Sequence, residues 1–420
     1  MPKLFSPDLM RERLPALQSS DFRNLWLGQI ISAAGSQMQV AALHWQIYVL
    51  TESPLALGGI GLVRILPIIC FSLLGGMAAD SFDRRRTLLI TQSLMTLVAV
   101  ALGVLALTGK TTLVALYICT AVGAAAIAFD NPARQSLVPA LVPKENLTNA
   151  YALSSTGFQV STIAGPVLAG LVIAKLGIGW AYFANALSFV AVIAAIFTLR
   201  YRQEPRPSEQ SANGFSVQAL RDGLSFVQNS PILVATMALD FWATFFSSAV
   251  ALLPIFAKDI LKVGPQGFGY LSACPAVGSL VTGVILTVLP PIQRQGRALL
   301  ISVILYGMAT VGFGLSQEFW LSGLFLAATG ATDTVSTVLR QTIRQTVTPD
   351  HLRGRMVSVS MLFFMGGPQL GELEAGIVAK WYGAVVSVVS GGIACMLIAT
   401  GLAMRWPWLR QYQLEEPKKA

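Results

Sequence analysis

Long apolar stretches separated by short polar segments make up almost the whole chain. Each of twelve stretches contains about 20 mostly hydrophobic residues, the length that an α-helix needs to cross a lipid bilayer. They are too long for the strands of a membrane β-barrel, which need about 10 residues. The pattern therefore predicts an all-α integral membrane protein, with spanning helices at 25–50, 56–79, 87–108, 112–133, 151–176, 180–199, 232–256, 267–289, 298–315, 319–340, 356–381 and 384–406.

The longest polar stretch divides these helices into two sets of six. Within this stretch Val217, Leu220, Leu224 and Val227 share one helical face, which predicts an interfacial helix on the membrane surface. We expect an N-terminal cytoplasmic segment, a six-helix bundle, a cytoplasmic linker with the interfacial helix, a second six-helix bundle and a cytoplasmic tail, at 1–24, 25–199, 200–231, 232–406 and 407–420.

The two sets of six helices resemble each other in sequence. The tetrad RQSL at 134–137 matches RQTI at 340–343, and AGLV at 169–172 matches AGIV at 375–378. Both matches have an offset of 206 residues. Two six-helix repeats around a site at the bilayer midplane are typical of secondary transporters, which move one half against the other.

Composition and charge support a membrane location. Of the 420 residues, 54% are hydrophobic and only 12% are charged, whereas a soluble protein has about 25% charged residues. The net charge of +9 does not indicate a nucleic-acid surface, because the Lys and Arg residues concentrate in alternate loops and at both ends. Such a bias predicts that both termini are cytoplasmic.

Two motifs resemble those of a known superfamily. The segment GGMAADSFDRRR at 75–86 resembles motif A of the major facilitator superfamily, with Gly76, Asp80, Arg84 and Arg85 in place, and with Ser81 and Asp83 as departures. Helix 5 carries a segment similar to the antiporter motif, with Gly165, Pro166 and Gly170. Two further segments are DNPARQSLVPALVP at 130–143 and GELEAG at 371–376. With them, the sequence is similar to the enterobactin-exporter and macrolide-efflux branch of this superfamily. The resemblance implies the twelve-helix major facilitator fold in the inner membrane and export in exchange for protons.

Motif A is expected to form a cytoplasmic gate. Asp80 lies at the cytoplasmic end of helix 2, where a carboxylate can accept hydrogen bonds from the N-terminus of another helix. The resemblance implies that this is helix 11. We expect Arg84 to reach Asp130, which has Arg134 as its i,i+4 neighbour. The alternative is that this basic loop only sets the topology.

Polar residues at helical spacing predict a wet cavity. A charged side chain near the bilayer midplane costs about 2.5–3.5 kcal/mol, so it must face water or a partner. The resemblance implies that helices 1, 4, 7 and 10 line the central cavity. We expect a substrate cavity lined by Gln29, Ser32, Ser36, Gln39, Thr244 and Phe245. Hydrogen bonding between helices without a ligand is the alternative.

Five ionisable side chains are candidates for proton coupling: Asp240, Asp333, Glu372, Glu374 and Arg64. Arg64 and Glu374 lie about seven residues from the outer ends of helices 2 and 11. The resemblance implies that these two helices face each other. We therefore predict that Arg64 pairs with Glu374 or Glu372. The pair is either an outer gate that opens on protonation or a static bridge.

The energy source is expected to be an ion gradient. The segment from Gly103 to Thr111 has the wrong glycine spacing for a phosphate-binding loop. No nucleophile–base or metal constellation appears, so we expect neither an enzyme nor a bound cofactor or metal. The expected function is export of an amphipathic small organic molecule, such as a siderophore, drug or macrolide-like compound, in exchange for protons by a monomer. The alternatives are an importer, a lipid translocator, or a receptor or scaffold that transports nothing.

Overall fold

The computed structural model describes residues 14–200, 224–246, 249–290, 292–349 and 352–413, and these residues are almost entirely helical. Two short 3₁₀ turns, Pro15–Gln18 and Lys144–Asn146, precede long helices. The helices are α1 (Ser20–Thr51), α2 (Pro54–Ser81), α3 (Arg84–Leu107), α4 (Leu113–Leu141), α5 (Leu147–Leu176), α6 (Ile178–Thr198), α7 (Pro231–Phe246), α8 (Gly264–Val288), α9 (Gln295–Leu315), α10 (Phe319–Val347), α11 (Arg353–Tyr382), α12 (Ala384–Arg405) and the short α13 (Pro407–Gln411).

Helices α1 to α12 correspond one to one to the twelve predicted spans. Within the described residues, nine helical segments are long and apolar enough to cross a bilayer. Helices α1, α10 and α11 contain 32, 29 and 30 residues but are more polar. They carry most of the polar and acidic residues that the sequence singles out, so a purely apolar criterion misses the helices with the most candidate chemistry.

The boundaries of three helices differ from the prediction. Helix α4 continues through Pro132 and Pro139 to Leu141, although Asn-Pro commonly marks a turn. Helix α10 likewise extends beyond residue 340 to Val347. Several arginines that were predicted to lie in loops are therefore on helices. Regular α7 ends at Phe246, and a 3₁₀ turn, a short α-helical turn and a π-helical turn follow at 249–252, 253–255 and 256–260.

The repeat seen in the sequence is also present in the helix boundaries. Helices α4 and α10 have the same length of 29 residues, and α5 and α11 the same length of 30. Each pair begins 206 residues apart. The glycines that follow α5 and α11, Gly177 and Gly383, have φ angles of 96° and 90°. This backbone conformation is strained for other residues, so both repeats use glycine at the same turn.

The chain divides into two compact units. The first comprises the described residues of Met1–Gln46 and Leu66–Phe215. In this unit α3 packs against α4 and α6, and α1 crosses α5. The crossing is close, because a Cβ atom on Gly165 would lie 2.7 Å from the carbonyl oxygen of Ala34 and 2.9 Å from the backbone nitrogen of Met38. One helical turn away, the Ser161 hydroxyl donates to the carbonyl of Ile30 at 3.0 Å.

The second unit comprises the described residues of Ile47–Ile65 and Ser216–Ala420. Helix α9 packs against α10 and α12, α8 against α10, and α7 against α11 and α12. The segment 47–65 comes from the first sequence repeat but packs with this unit. Its contact with α11 is made by glycine, since a Cβ atom on Gly58 would lie 3.0 Å from the Cα atom of Gly376.

The end of the predicted interfacial helix is covered by protein. Residues 224–228 are helical, and Val227 is buried among Leu233, Met237 and Met356. Leu224, also on the predicted apolar face, is exposed. The other two residues of that face, Val217 and Leu220, lie outside the described residues.

The α1–α5 crossing predicts the effect of one added methyl group. We expect Gly165→Ala to destabilise the protein by about 1–3 kcal/mol, because the backbone of α1 must move away. Gly283→Ala in α8 is the matched control, since a Cβ atom there meets nothing within 4 Å. Thermal unfolding of the purified variants in detergent measures both, and equal melting temperatures would contradict the close crossing.

Candidate functional site

A cavity of about 560 Å³ lies within the first unit. One wall is helix α1, whose residues Gln29, Ser32, Ser36 and Gln39 all line it. The predicted polar stripe of helix 1 therefore faces a cavity. The side-chain nitrogen Nε2 of Gln29 is buried and has no hydrogen-bond partner among the described residues.

The other walls of this cavity combine amide groups with apolar side chains. The Asn185 amide donates to the Oε1 atom of Gln39 at 2.7 Å. The remaining lining residues include Asn131, Arg134 and Gln135 of α4 and the large side chains Trp26, Met95, Phe158 and Phe189. Such a mixture of apolar surface and a few hydrogen-bonding groups is typical of small-molecule sites.

Asp130 is held at the edge of this cavity by a network of hydrogen bonds. It is buried, and its Oδ1 atom accepts from the Thr91 hydroxyl and the Gln92 amide, both at 2.8 Å. Its Oδ2 atom accepts from Nε and Nη2 of Arg134 at 3.0 and 2.5 Å. Asp130 thus accepts four hydrogen bonds, two from α3 and two from its own helix.

Motif A makes local contacts in the same unit. Arg84, which was expected to reach Asp130, donates to the carbonyl of Ser136 at 2.7 Å. Ser136 lies six residues after Asp130 on the same helix. Arg85 donates to the carbonyl of Phe197 at 3.0 Å and to that of Leu199 at 3.3 Å. Asp83 replaces the glycine of the motif and caps α3 by accepting from the backbone nitrogen of Arg86 at 3.0 Å. The surroundings of Gly76 and of the Asp80 side chain lie outside the part of the chain that the structure describes.

A cluster of buried charges lies in the second unit, where α7 meets α10. The Oδ1 atom of Asp240 lies 3.1 Å from Nη2 of Arg340, and its Oδ2 atom lies 3.0 Å from Nη2 of Arg344. Arg340 also lies 3.5 Å from Asp333, whose side chain is 46% exposed. Asp240 and Asp333, two of the candidates for proton coupling, thus share Arg340 as a partner. Arg344 was not among the predicted site residues.

The charge cluster forms one wall of a cavity of about 330 Å³. Gln341 and Gln345 of α10 and Met356 and Phe364 of α11 line it as well. Neither Thr244 nor Phe245 is a lining residue of this cavity. The Thr244 hydroxyl donates to the carbonyl of Asp240 at 2.8 Å, and Phe245 stacks on Phe241.

The predicted pairing of Arg64 with a glutamate of α11 is corrected by the structure. The two helices do meet, and Arg64 is close enough for its charge to act on Glu372. However, the ion pairs between described side chains do not include Arg64. The helices are antiparallel with Gly58 opposite Gly376, so Glu374 lies near the level of residue 60. Glu374 is therefore about one helical turn from the level of Arg64, not at the same depth.

Glu372 is packed where α2 and α11 cross. A Cβ atom on Gly61 would lie 3.1 Å from the Cβ atom of Glu372. The Oε2 atom of Glu372 is buried and has no hydrogen-bond partner among the described residues. A buried carboxylate oxygen without a partner is costly unless the group carries a proton or meets water.

A second polar cluster joins the segment 47–65 to the π-helical turn at 256–260. The Tyr48 hydroxyl donates to Asp259, and Lys258 donates to Glu52 at 2.8 Å. The hydrogen bond from Lys258 lowers the pKa of Glu52. Glu52 has a φ angle of 48°, which is uncommon for a residue with a side chain and frequent at functional sites. The sequence offered no signal for this cluster, because its charges lie in separate loops.

The chain matches the family described as transmembrane secretion effector over residues 13–418. It belongs to this family. The Enterobactin exporter EntS of Shigella boydii serotype 18 (strain CDC 3083-94 / BS512) is 24% identical over 398 residues, which are 94% of both chains. The protein of the same name from Escherichia coli O81 (strain ED1a) matches equally, with 24% identity over 94% of each chain.

Solved transporter structures share the fold of this chain. A bacterial homologue of the human lysosomal transporter Spinster superposes with a TM-score of 0.69 at 14% identity, over 94% of this chain and 96% of its own. A peptide transporter POT in complex with sulfate gives a TM-score of 0.72 at 13% identity, over 94% and 95% of the two chains. At such low identity the likeness shows the fold alone.

These comparisons confirm the predicted fold class and protein class. The protein is a multi-pass membrane protein with the twelve-helix major facilitator fold, and it is a secondary transporter, not an enzyme. Within the described residues, no group of three or more His, Cys, Asp or Glu side chains could hold a metal ion.

The buried charge cluster predicts unequal effects of two aspartate substitutions. We expect Asp240→Asn to destabilise the transporter by about 3–5 kcal/mol, because two buried guanidinium groups lose their shared counter-charge.

Asp333→Asn is the matched change on the half-exposed side of the same cluster. We expect it to destabilise the transporter by less than about 1 kcal/mol. Thermal unfolding of both variants in detergent at one pH makes the comparison. If Asp240→Asn lowers the melting temperature less than Asp333→Asn does, the result would contradict the pairing of Asp240 with the two arginines.

Proposed function

We propose that this transporter exports an amphipathic small organic molecule across the cytoplasmic membrane in exchange for protons, by alternating access. The observation that carries the proposal is the group of acidic side chains within the membrane-spanning helices, of which Asp240 lines a cavity, in a chain of the transmembrane secretion effector family. The similarity to proteins named enterobactin exporter supports the outward direction. The concentration of Lys and Arg in alternate loops supports cytoplasmic termini. The protein acts as a monomer in this proposal.

The two cavities support an amphipathic substrate. The cavity of the first unit combines Gln29, Gln39 and Asn185 with aromatic side chains, so it offers apolar contact and uncharged hydrogen bonding together. The cavity of the second unit adds charge through Asp240, Arg340 and Arg344. A purely apolar lipid chain would leave these polar groups unpaired at a cost, which favours a drug- or siderophore-like molecule over lipid translocation.

The acidic side chains in the spans are the proposed proton carriers. Glu372 is our first candidate, because its Oε2 atom is buried without a partner among the described residues. Asp240 and Asp333 contact guanidinium groups, so their protonation would break an ion pair. One proton moving down about 150 mV supplies about 3.5 kcal/mol, which sustains a substrate gradient on the order of a few hundredfold.

Motif A is the proposed gate on the cytoplasmic side. The gate comprises Gly76, Asp80, Arg84 and Arg85 together with the Asp130–Arg134 pair. The contacts of Arg84 and Arg85 with backbone carbonyls fasten the start of α3 to α4 and to the end of α6. Gly165, Pro166 and Gly170 of the antiporter motif are buried in α5, and Gly165 lets α5 approach α1 closely.

Transport assays in inside-out membrane vesicles test the direction and the energy source. A panel of siderophores and toxic compounds, applied to cells that lack or overproduce the protein, first identifies a substrate. We expect vesicles with an acidic interior to accumulate that substrate, since their lumen corresponds to the outside of the cell. A protonophore should abolish accumulation.

Accumulation that persists with the protonophore but needs a sodium gradient would contradict proton exchange. Substrate leaving the vesicles under the same gradient would indicate an importer. Vesicles without the protein provide the background for both measurements.

Glutamine in place of glutamate separates coupling from binding. We expect Glu372→Gln to reduce proton-driven accumulation at least tenfold, because glutamine cannot carry the proton. Exchange of labelled for unlabelled substrate without a gradient should remain within about twofold of the wild type. Glu374→Gln, two residues along α11, is the matched comparison.

Unimpaired proton-driven accumulation by Glu372→Gln would exclude that residue as the carrier. If Glu374→Gln has the larger effect, the carrier is Glu374. If a variant loses both substrate exchange and proton-driven accumulation, the substituted glutamate has a structural role instead.

A further inference from the structure

We propose that Arg340 and Arg344 form a binding site for an anionic group of the substrate, such as a carboxylate or phosphate, and that this group competes with Asp240 for the two guanidinium groups. The inference rests on the proposed function, because it names the substrate class of the same transporter. Its basis is the hydrogen bonding, burial and repeat position of the two arginines.

The hydrogen bonds of the two arginines leave donors available. Arg340 donates to the hydroxyl of Thr337 at 2.9 Å, and Arg344 donates to the carbonyl of Thr236 at 3.3 Å and to Asp240 at 3.0 Å. The Nε atom of Arg344 is buried with no hydrogen-bond partner among the described residues. A guanidinium group only donates, so this N–H group is a donor that no described residue satisfies, on a side chain that lines the cavity.

The contact between Arg340 and Asp240 is also incomplete. The two groups are 3.1 Å apart, but the Oδ1 atom of Asp240 accepts no hydrogen bond from any described residue. The pair is thus held by charge without the directional bonds that strengthen an ion pair. An incoming anion with two oxygens can offer a guanidinium group the bidentate geometry that Asp240 does not provide.

Both arginines are buried beside a space that a ligand group can fill. They are 2% and 7% exposed, so their charges are little screened by water. The adjoining cavity of about 330 Å³ has room for about ten water molecules. An aromatic ring bearing a carboxylate fits in this space, with Met356 and Phe364 of α11 as apolar contacts.

Comparison of the repeats shows that this arrangement is specific to the second one. Arg134 is equivalent to Arg340 at the offset of 206 residues, and it is bound by the aspartate one turn earlier on its own helix. Ser336 takes the place of that aspartate in α10, and Val138 is equivalent to Arg344. The second repeat therefore gains one guanidinium group and loses the local carboxylate that would occupy the other.

A pair of probes that differ only in charge tests the inference. We use 2-naphthoate, a carboxylate, and 2-naphthamide, its neutral amide, with the full-length protein in lipid nanodiscs and no ion gradient. We expect saturable binding of 2-naphthoate that is at least tenfold tighter than that of 2-naphthamide. Arg344→Gln should reduce the affinity for 2-naphthoate at least tenfold and leave that for 2-naphthamide within twofold. Arg405→Gln, at the exposed end of α12, is the control for loss of one positive charge.

A second measurement does not depend on the stability of the arginine variant. Asp240→Asn removes the competing carboxylate, so 2-naphthoate should raise its melting temperature more than that of the wild type, whereas 2-naphthamide should raise neither. Equal binding of the two probes, no saturable binding of 2-naphthoate to the wild type, or equal stabilisation of Asp240→Asn by both probes would overturn the inference.

The outcome is distinguishable from failure of the proposed function. Binding of 2-naphthoate is measured without a gradient, so preferential binding without proton-driven accumulation would contradict only the export proposal. Proton-driven export combined with equal binding of the two probes would contradict only the anion site.

Discussion

The high cost of an unpaired charge in a lipid bilayer constrains most of this structure. Each charged group in a spanning helix needs water, a counter-charge or a proton, and the two units meet this need differently. In the first unit Asp130 is bonded by Arg134 of its own helix and by Thr91 and Gln92 of α3. In the second unit Asp240 lies on a different helix from both of its arginines. The first carboxylate finds its guanidinium group on its own helix, whereas both guanidinium groups of the second come from a different helix.

Close helix crossings position these charges. Lipid provides no hydrophobic force between helices, so small residues that let backbones approach have a large role. Gly165 lets α5 approach α1, and Gly58 and Gly61 let α2 approach α11. The second crossing holds Glu372 in a place where one of its oxygens is buried without a partner among the described residues. The glycines of this crossing therefore set the surroundings of the carboxyl group that we propose as the proton carrier.

The sequence predicted the fold better than the site contacts. All twelve spans were found to within a few residues, except that α4 and α10 continue for about two further turns and regular α7 ends at Phe246. Because the predicted helix 10 ends at residue 340, Arg344 was assigned to a loop, where positive charge is explained by topology alone. The polar stripe of α1 was placed on a cavity wall correctly, because helical phase is a property of one helix.

What the sequence determined by itself is therefore local: the number of spans, the repeat and the polar face of each helix. These follow from the length and periodicity of the apolar stretches, because each helix must match the bilayer separately. Only the tertiary structure decided that Arg344 meets Asp240, that Tyr48 meets Asp259 and that Arg64 is a turn away from the level of Glu374. Those meetings depend on where two helices cross and how far each extends, because a shift of one turn moves a side chain by about 5.4 Å, more than the length of an ion pair.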